Sequence, residues 1–207
     1  MSLKDNIVHE AQKLFSLNGF LNTGINDIIA AAGTSKGGFY NHFASKEDLF
    51  YAVLSESQAI WRDKVLYSID EIESPTVKII KILKNYRDRY LKDSENFPGG
   101  CIFITFSVEL DDTRPQLMKE VNKGFEGFKA LLTRLLDEAI ELGELPKDIN
   151  SDSVAETLFA GMLGASVLYG VDKDNLILDR SIDSLIEYVI LLSNKQMPNK
   201  VLHSEST

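Results

Sequence analysis

Thr23 to Leu49 reads TGINDIIAAAGTSKGGFYNHFASKEDL, and its residue order decides how the rest of the chain is read. Ile25, Ile28, Ile29 and Ala32 recur at three- and four-residue steps, the spacing of one helix face, and Gly33 ends the run. A second short segment follows Ser35 and reaches Phe43, with Phe39 and Phe43 four residues apart on one face. A helix, a glycine-centred turn and a second short helix make a helix-turn-helix. Thr23 is placed to cap the first helix and Ser35 the second, whose leading amides can meet a phosphate. Gly33 can take the left-handed backbone of the turn without a Cβ penalty. Gly37 and Gly38 cost the second helix about 2 kcal/mol relative to two alanines. Close approach of that backbone to the floor of a major groove is a reason to keep them.

Helical periodicity continues on both sides. Ile7, Ala11, Leu14 and Leu17 mark a preceding helix that Asn18-Gly19 ends. Downstream, Ser45 with Asp48 three residues on is a variant capping box. It opens a helix that Leu49, Val53, Ile60, Lys64 and Tyr67 carry to about Ile69. Ser74-Pro75 opens the next, with Val77, Ile80, Leu83, Tyr86 and Tyr90 on its apolar face. Cys101 to Leu110 has the β-branched and aromatic content of a strand, but no second strand exists to pair with it, so it reads as a buried helix. A long amphipathic helix runs from about Pro115 to Leu142, and helices at about 151–170 and 179–195 follow. The expectation is an all-α chain of about nine helices. Residues 1–50 form a helix-turn-helix domain, 51–197 a larger helical domain and 198–207 a frayed polar tail, with the boundary inside one long helix.

Composition narrows the function. With 44% apolar residues in 207, the chain can bury a core. The longest apolar run, Cys101 to Phe106 with Thr105 as its break, is far short of the ~18–20 residues of a bilayer span. No secretory pattern opens the chain, so a cytoplasmic protein without membrane contact is expected. A single cysteine, Cys101, excludes an intrachain disulfide and a cysteine-based zinc site. The three histidines lie far apart, with no Glu-x-x-His pair, so no metal or cofactor is expected. No nucleophile–base constellation or phosphate loop supports an enzyme. The net charge of −9 is unusual for a DNA binder, but it is unevenly spread. Residues 1–50 hold four Lys and five acids, whereas the remainder holds 18 Lys and Arg against 26 acids.

The set Thr23, Ile28, Ala32-Gly33-Thr34-Ser35-Lys36-Gly37, Tyr40-Asn41-His42-Phe43, Lys46-Glu47 and Leu49 resembles the signature of the TetR/AcrR family. It departs at Ile29 and Thr34, where the family usually carries Ala and Val. The resemblance implies a ligand-responsive transcriptional repressor that binds a near-palindromic operator as a homodimer and is released by a small, largely apolar inducer. It implies phosphate contacts from Thr23, Tyr40, His42 and Lys46, and base-facing positions at Lys36, Gly37 and Asn41. The last two helices look like the pair that forms a four-helix dimer interface in the family. The small residues of Ala160 to Ser166 would allow close helix approach there. The alternative is a helical small-molecule-binding or adaptor protein without DNA binding.

An inducer cavity of the usual apolar kind would draw on Trp61, Tyr86, Phe103, Phe106, Phe125 and Met162, which are spread over the central helices. Cys101 follows Pro98-Gly99-Gly100 at the start of a helix, where a thiolate is favoured. It is a candidate sensor thiol, set against the commoner role of a small buried hydrophobe.

Overall fold

The computed structural model describes residues 1–193 as nine α-helices and one π-helical segment, with no strand among the described residues. The expected tail, 198–207, and the last few positions of the expected larger domain lie outside them. The N-terminal helices are α1 (Leu3–Asn18), α2 (Ile25–Ala31) and α3 (Lys36–Tyr40). α4 (Lys46–Val65) leads into α5 (Pro75–Asn85), which the π-helical segment Tyr86–Leu91 prolongs. α6 (Ile102–Leu110), α7 (Pro115–Glu141), α8 (Ser151–Asp172) and α9 (Asn175–Ser193) complete the array.

Caps explain most boundaries. The Ser2 hydroxyl accepts from the Asp5 amide and the Asp5 carboxylate accepts from the Ser2 amide, which closes the first turn of α1. α1 buries Ile7, Val8, Ala11 and Phe15, whereas Leu17 is 57% exposed. The inward stripe therefore runs through Phe15 and not, as the periodicity suggested, through Leu17. Ser35 caps α3 by accepting from the Gly38 amide at 3.0 Å. Ser45 caps α4 in the same way, through the Asp48 amide. That helix ends at Val65, short of Ile69, and Ser68 turns the chain at φ 55°. α5 buries Ile79, Ile82 and Leu83, leaving Val77 half exposed. α9 starts four residues earlier than its first Asp suggested, because Asp174 accepts the Leu176 amide and begins the helix.

α6 is helical despite its strand-like composition. Ile102, Phe103, Phe106 and Leu110 are buried at helical spacing, so burial overrides local propensity. Phe106 reaches into a cluster with Phe15 of α1, Phe20 and Phe50 of α4, with ring centroids 4.8–6.1 Å apart. That cluster fuses the N-terminal helices to the larger domain.

α8 is long and apolar enough to cross a membrane, with a mean hydropathy of 1.5 over its best window. The run-length criterion missed this because glycines and serines interrupt its apolar residues. Here Val154, Leu158, Met162 and Ala165 are packed inside the helical array. Its outward positions are Ala160, Gly164, Val167, Leu168 and Val171.

Candidate nucleic-acid interface and ligand cavity

α2 and α3 meet through a turn in which Gly33 takes φ 59°, the left-handed conformation the motif requires. Phe39 and Phe43 are buried beneath α3. Their burial leaves Lys36, Gly37, Tyr40, Asn41 and His42 all exposed on the outer side. The two glycines differ. A Cβ on Gly37 would meet nothing closer than the Ser35 hydroxyl at 3.8 Å, so its surface is open to an approaching molecule. A Cβ on Gly38 would collide with the Thr34 hydroxyl, so this glycine answers to the chain's own turn.

Two residues with implied phosphate contacts are instead engaged inside the protein. Thr23 is only 1% exposed, and its hydroxyl donates to Gly19 O at 2.6 Å. It does not cap α2; Gly24 holds that position, with its amide bonded to Asp27. The Lys46 ammonium donates to Phe20 O at 2.8 Å and Thr23 O at 3.0 Å, and lies 4.5 Å from the Phe20 ring centroid. It closes the orphan carbonyls that follow α1, a local need that a motif cannot display. Burial is the largest influence lowering its pKa, joined by Arg114 and opposed by Glu109 and Glu47. Sequence reasoning missed Glu109 of α6, whose carboxylate accepts the Phe20 amide at 2.7 Å. Lys46 and Glu109 thus hold opposite sides of one turn.

A cavity of about 360 Å³ lies between α4, α6, α7 and α8. Five expected ligand residues, Trp61, Tyr86, Phe103, Phe125 and Met162, line it. Phe106 does not. It is fully buried in the cluster with Phe15 and Phe50, on the side of α6 turned toward the N-terminal helices. Phe128 and Phe159 add to the wall: Trp61 packs edge-on to Phe128 at 4.8 Å, and Phe125 to Phe159 at 5.3 Å. Gly124 and Gly127 open space in the middle of α7, and a Cβ on Gly127 would meet nothing within 4 Å. Two glycines inside a 27-residue amphipathic helix were the sequence signal for this space.

Cys101 also faces the cavity, at the N-cap of α6. Burial pushes its thiol pKa up, against the lowering effects of the Tyr90 hydroxyl and the Ile104 and Phe103 amides. The Tyr90 hydroxyl donates to Sγ at 3.4 Å. Tyr90 is fully buried as well, and burial first, then Cys101, raises its pKa. The helix N-terminus does not offset burial, so the geometry favours a neutral thiol. The loop before it docks on α1: the Gly99 amide donates to Ser16 Oγ at 2.9 Å, and Gln12 donates to Asn96 O.

A helix-turn-helix joined to a larger helical domain is the architecture of a DNA-binding transcriptional regulator. The family model for bacterial regulatory proteins of the tetR family matches residues 7–53, and that for the tetracyclin repressor-like C-terminal domain matches 75–185. The chain belongs to the TetR family of transcriptional regulators. The HTH-type transcriptional repressor DhaR of Mycobacterium sp. (strain GP1) is 28% identical over 199 residues, covering 96% of this chain and 97% of that protein. A TetR transcriptional regulator from Chloroflexus aurantiacus has a TM-score of 0.84 and 28% identity, covering 91% of this chain and 94% of its own. AibR, solved with isovaleryl coenzyme A and operator DNA, shares the fold at a TM-score of 0.70 and 16% identity, covering 90% and 97%.

Proposed function

We propose that the chain is a ligand-responsive transcriptional repressor that binds a near-palindromic operator as a homodimer and leaves it when a small, largely apolar molecule enters the cavity. The carrying observation is that one chain combines an outward row of Lys36, Tyr40, Asn41 and His42 with an aromatic cavity of about 360 Å³. Residues 1–50 act as the DNA-binding domain and 51–197 as the ligand and dimer domain, a division supported by the separate ranges of the two family models. Tyr40 and His42 meet phosphates, while Lys36, Gly37 and Asn41 face bases. Thr23 and Lys46 shape the reading unit from within, and Ser35 caps α3 at its surface. Cys101 is a wall residue of the cavity and not a redox sensor. The protein acts in the cytoplasm, where its DNA is.

Dimerisation is supported by the outer faces of α8 and α9. Val167, Leu168, Val171 and Leu191 are each more than half exposed, and together they make the kind of apolar surface that marks an interface. Two recognition helices related by a two-fold axis double the base contacts that one short helix can make. The test is a gel shift with DNA upstream of the protein's own gene, with and without a panel of lipophilic molecules. A retarded band released by one of them supports the reading. Absence of operator binding at low salt would favour the small-molecule-binding alternative.

A further inference from the structure

We infer that the cavity selects an organic anion: an apolar body seated among its aromatic rings, with one acidic group meeting the Arg62 guanidinium at the mouth. This rests on the reading of the cavity as the ligand site and names the chemistry that site accepts. Over the whole chain, acids outnumber bases 31 to 22. The cavity wall reverses that ratio. Among the described residues it carries Arg62 and Lys123 and no Asp or Glu. Its other ionisable groups, Cys101 and Tyr86, have pKa values raised mainly by burial and are neutral near pH 7.

The two cations are not equivalent. The Lys123 ammonium is held by Glu120 at 2.7 Å, so its charge is already met. Arg62, in the last turn of α4, takes part in none of the ion pairs found among the described residues, whereas nearby Lys64 is paired with Asp93. A guanidinium presents a planar fork of donors that fits a carboxylate, sulfonate or phosphate edge. Gln58 lies four residues before it on the same helix face and also lines the cavity, adding an amide donor to that edge. Arg62 is exposed at the cavity mouth, where water screens part of its charge, so the contact it offers is a modest one. A cationic ligand would meet Arg62 without a counter-charge on the wall, and a neutral one would leave the guanidinium to water.

The test uses two probes of the same shape on the full-length protein: anionic 1-anilinonaphthalene-8-sulfonate and neutral N-phenyl-1-naphthylamine. Arg62→Gln, Arg62→Lys and Gly127→Phe variants are compared, after circular dichroism shows each folded. Arg62→Gln is expected to weaken the anionic probe about tenfold, the ~1.4 kcal/mol scale of one charge-assisted contact at a solvent-open site. The neutral probe should change less than about twofold, and Arg62→Lys should restore part of the loss. Gly127→Phe should weaken both probes by filling the cavity. If Arg62→Gln moves both probes equally, or neither, while Gly127→Phe weakens both, the anion inference is overturned and the cavity reading survives. If Gly127→Phe leaves both probes unchanged, the cavity reading itself fails.

Discussion

The Lys46 ammonium finds its partners in the carbonyls of Phe20, Leu21 and Thr23, where the motif implies a phosphate. A charged donor serving the part-buried carbonyls of Phe20 and Thr23 is a structural element, and losing it leaves those acceptors without their protein partner. Lys46→Ala should therefore lower unfolding stability by about 1–2 kcal/mol, measured by urea denaturation. Tyr40→Phe and Lys36→Ala should leave stability within about 0.5 kcal/mol. They should instead weaken operator binding, Tyr40→Phe about equally for all sequences and Lys36→Ala with relaxed discrimination at the base it faces. Equal stability in Lys46→Ala and the unmutated protein would return Lys46 to the DNA surface. Cys101, Tyr86 and Tyr90 make a second, buried cluster. Burial raises all three folded pKa values above the ordinary 9.0 for Cys and 10.0 for Tyr. Their contribution to stability is then complete below those unfolded values and disappears as pH rises through the folded ones. Stability should fall above about pH 9, and Tyr90→Phe with Cys101→Ser should flatten that alkaline limb. At pH 7, iodoacetamide should modify folded Cys101 more slowly than free cysteine; modification at the free rate would reopen the sensor role.

Among the elements, α7 has the unusual interior, with Gly124 and Gly127 beside the cavity. Since a Cβ at Gly127 meets nothing within 4 Å, Gly127→Leu has room to be built. It should stabilise the helix by about 0.5–1 kcal/mol, leave operator affinity intact and abolish release by a ligand that normally acts. Retained release at normal ligand concentration would contradict the cavity assignment. Local chemistry made much of the fold legible: Ser35, Ser45 and Pro75 stand where periodicity and capping put them. Partner choice was less legible. Phe103 and Phe106 both look inward from α6, yet only Phe103 lines the cavity, while Phe106 packs on Phe15 and Phe50. Periodicity tells which residues leave solvent, and it cannot distinguish two interior spaces served by one helix. The same limit applies to Thr23, whose hydroxyl would accept as a helix cap and donate to a phosphate, and which the folded turn makes a donor to Gly19 O.

For the whole molecule, Gly161 and Gly164 of α8 have different surroundings. A Cβ on Gly161 would press on Leu185 of α9 within the same chain, whereas one on Gly164 meets nothing within 4 Å. Gly161→Leu should thus destabilise the monomer fold, and Leu168→Glu with Val171→Glu should yield folded monomers with lost operator affinity, read by sedimentation. A dimer surviving the double glutamate variant would place the interface elsewhere. The proposed communication between the cavity and DNA has a route in α6. At its start stand Cys101 and Phe103, on the cavity wall. Near its end Glu109 accepts the Phe20 amide in the turn that Lys46 also holds. In the proposed response, a ligand that displaces Phe103 acts on α6, whose far end grips the turn between α1 and α2. Ligand and operator can oppose each other only through unequal affinity for two states, and linkage makes the factor identical in both directions. In the unmutated protein, saturating operator should weaken ligand binding, by about 5- to 150-fold if coupling is of ordinary size. Glu109→Ala removes the grip while leaving the cavity wall intact. Its intrinsic ligand affinity without DNA should stay within about twofold, and the operator-dependent factor should fall toward one. Calorimetric titration of each protein, with and without operator, measures both quantities. An unchanged factor in Glu109→Ala would show that the coupling runs outside this contact.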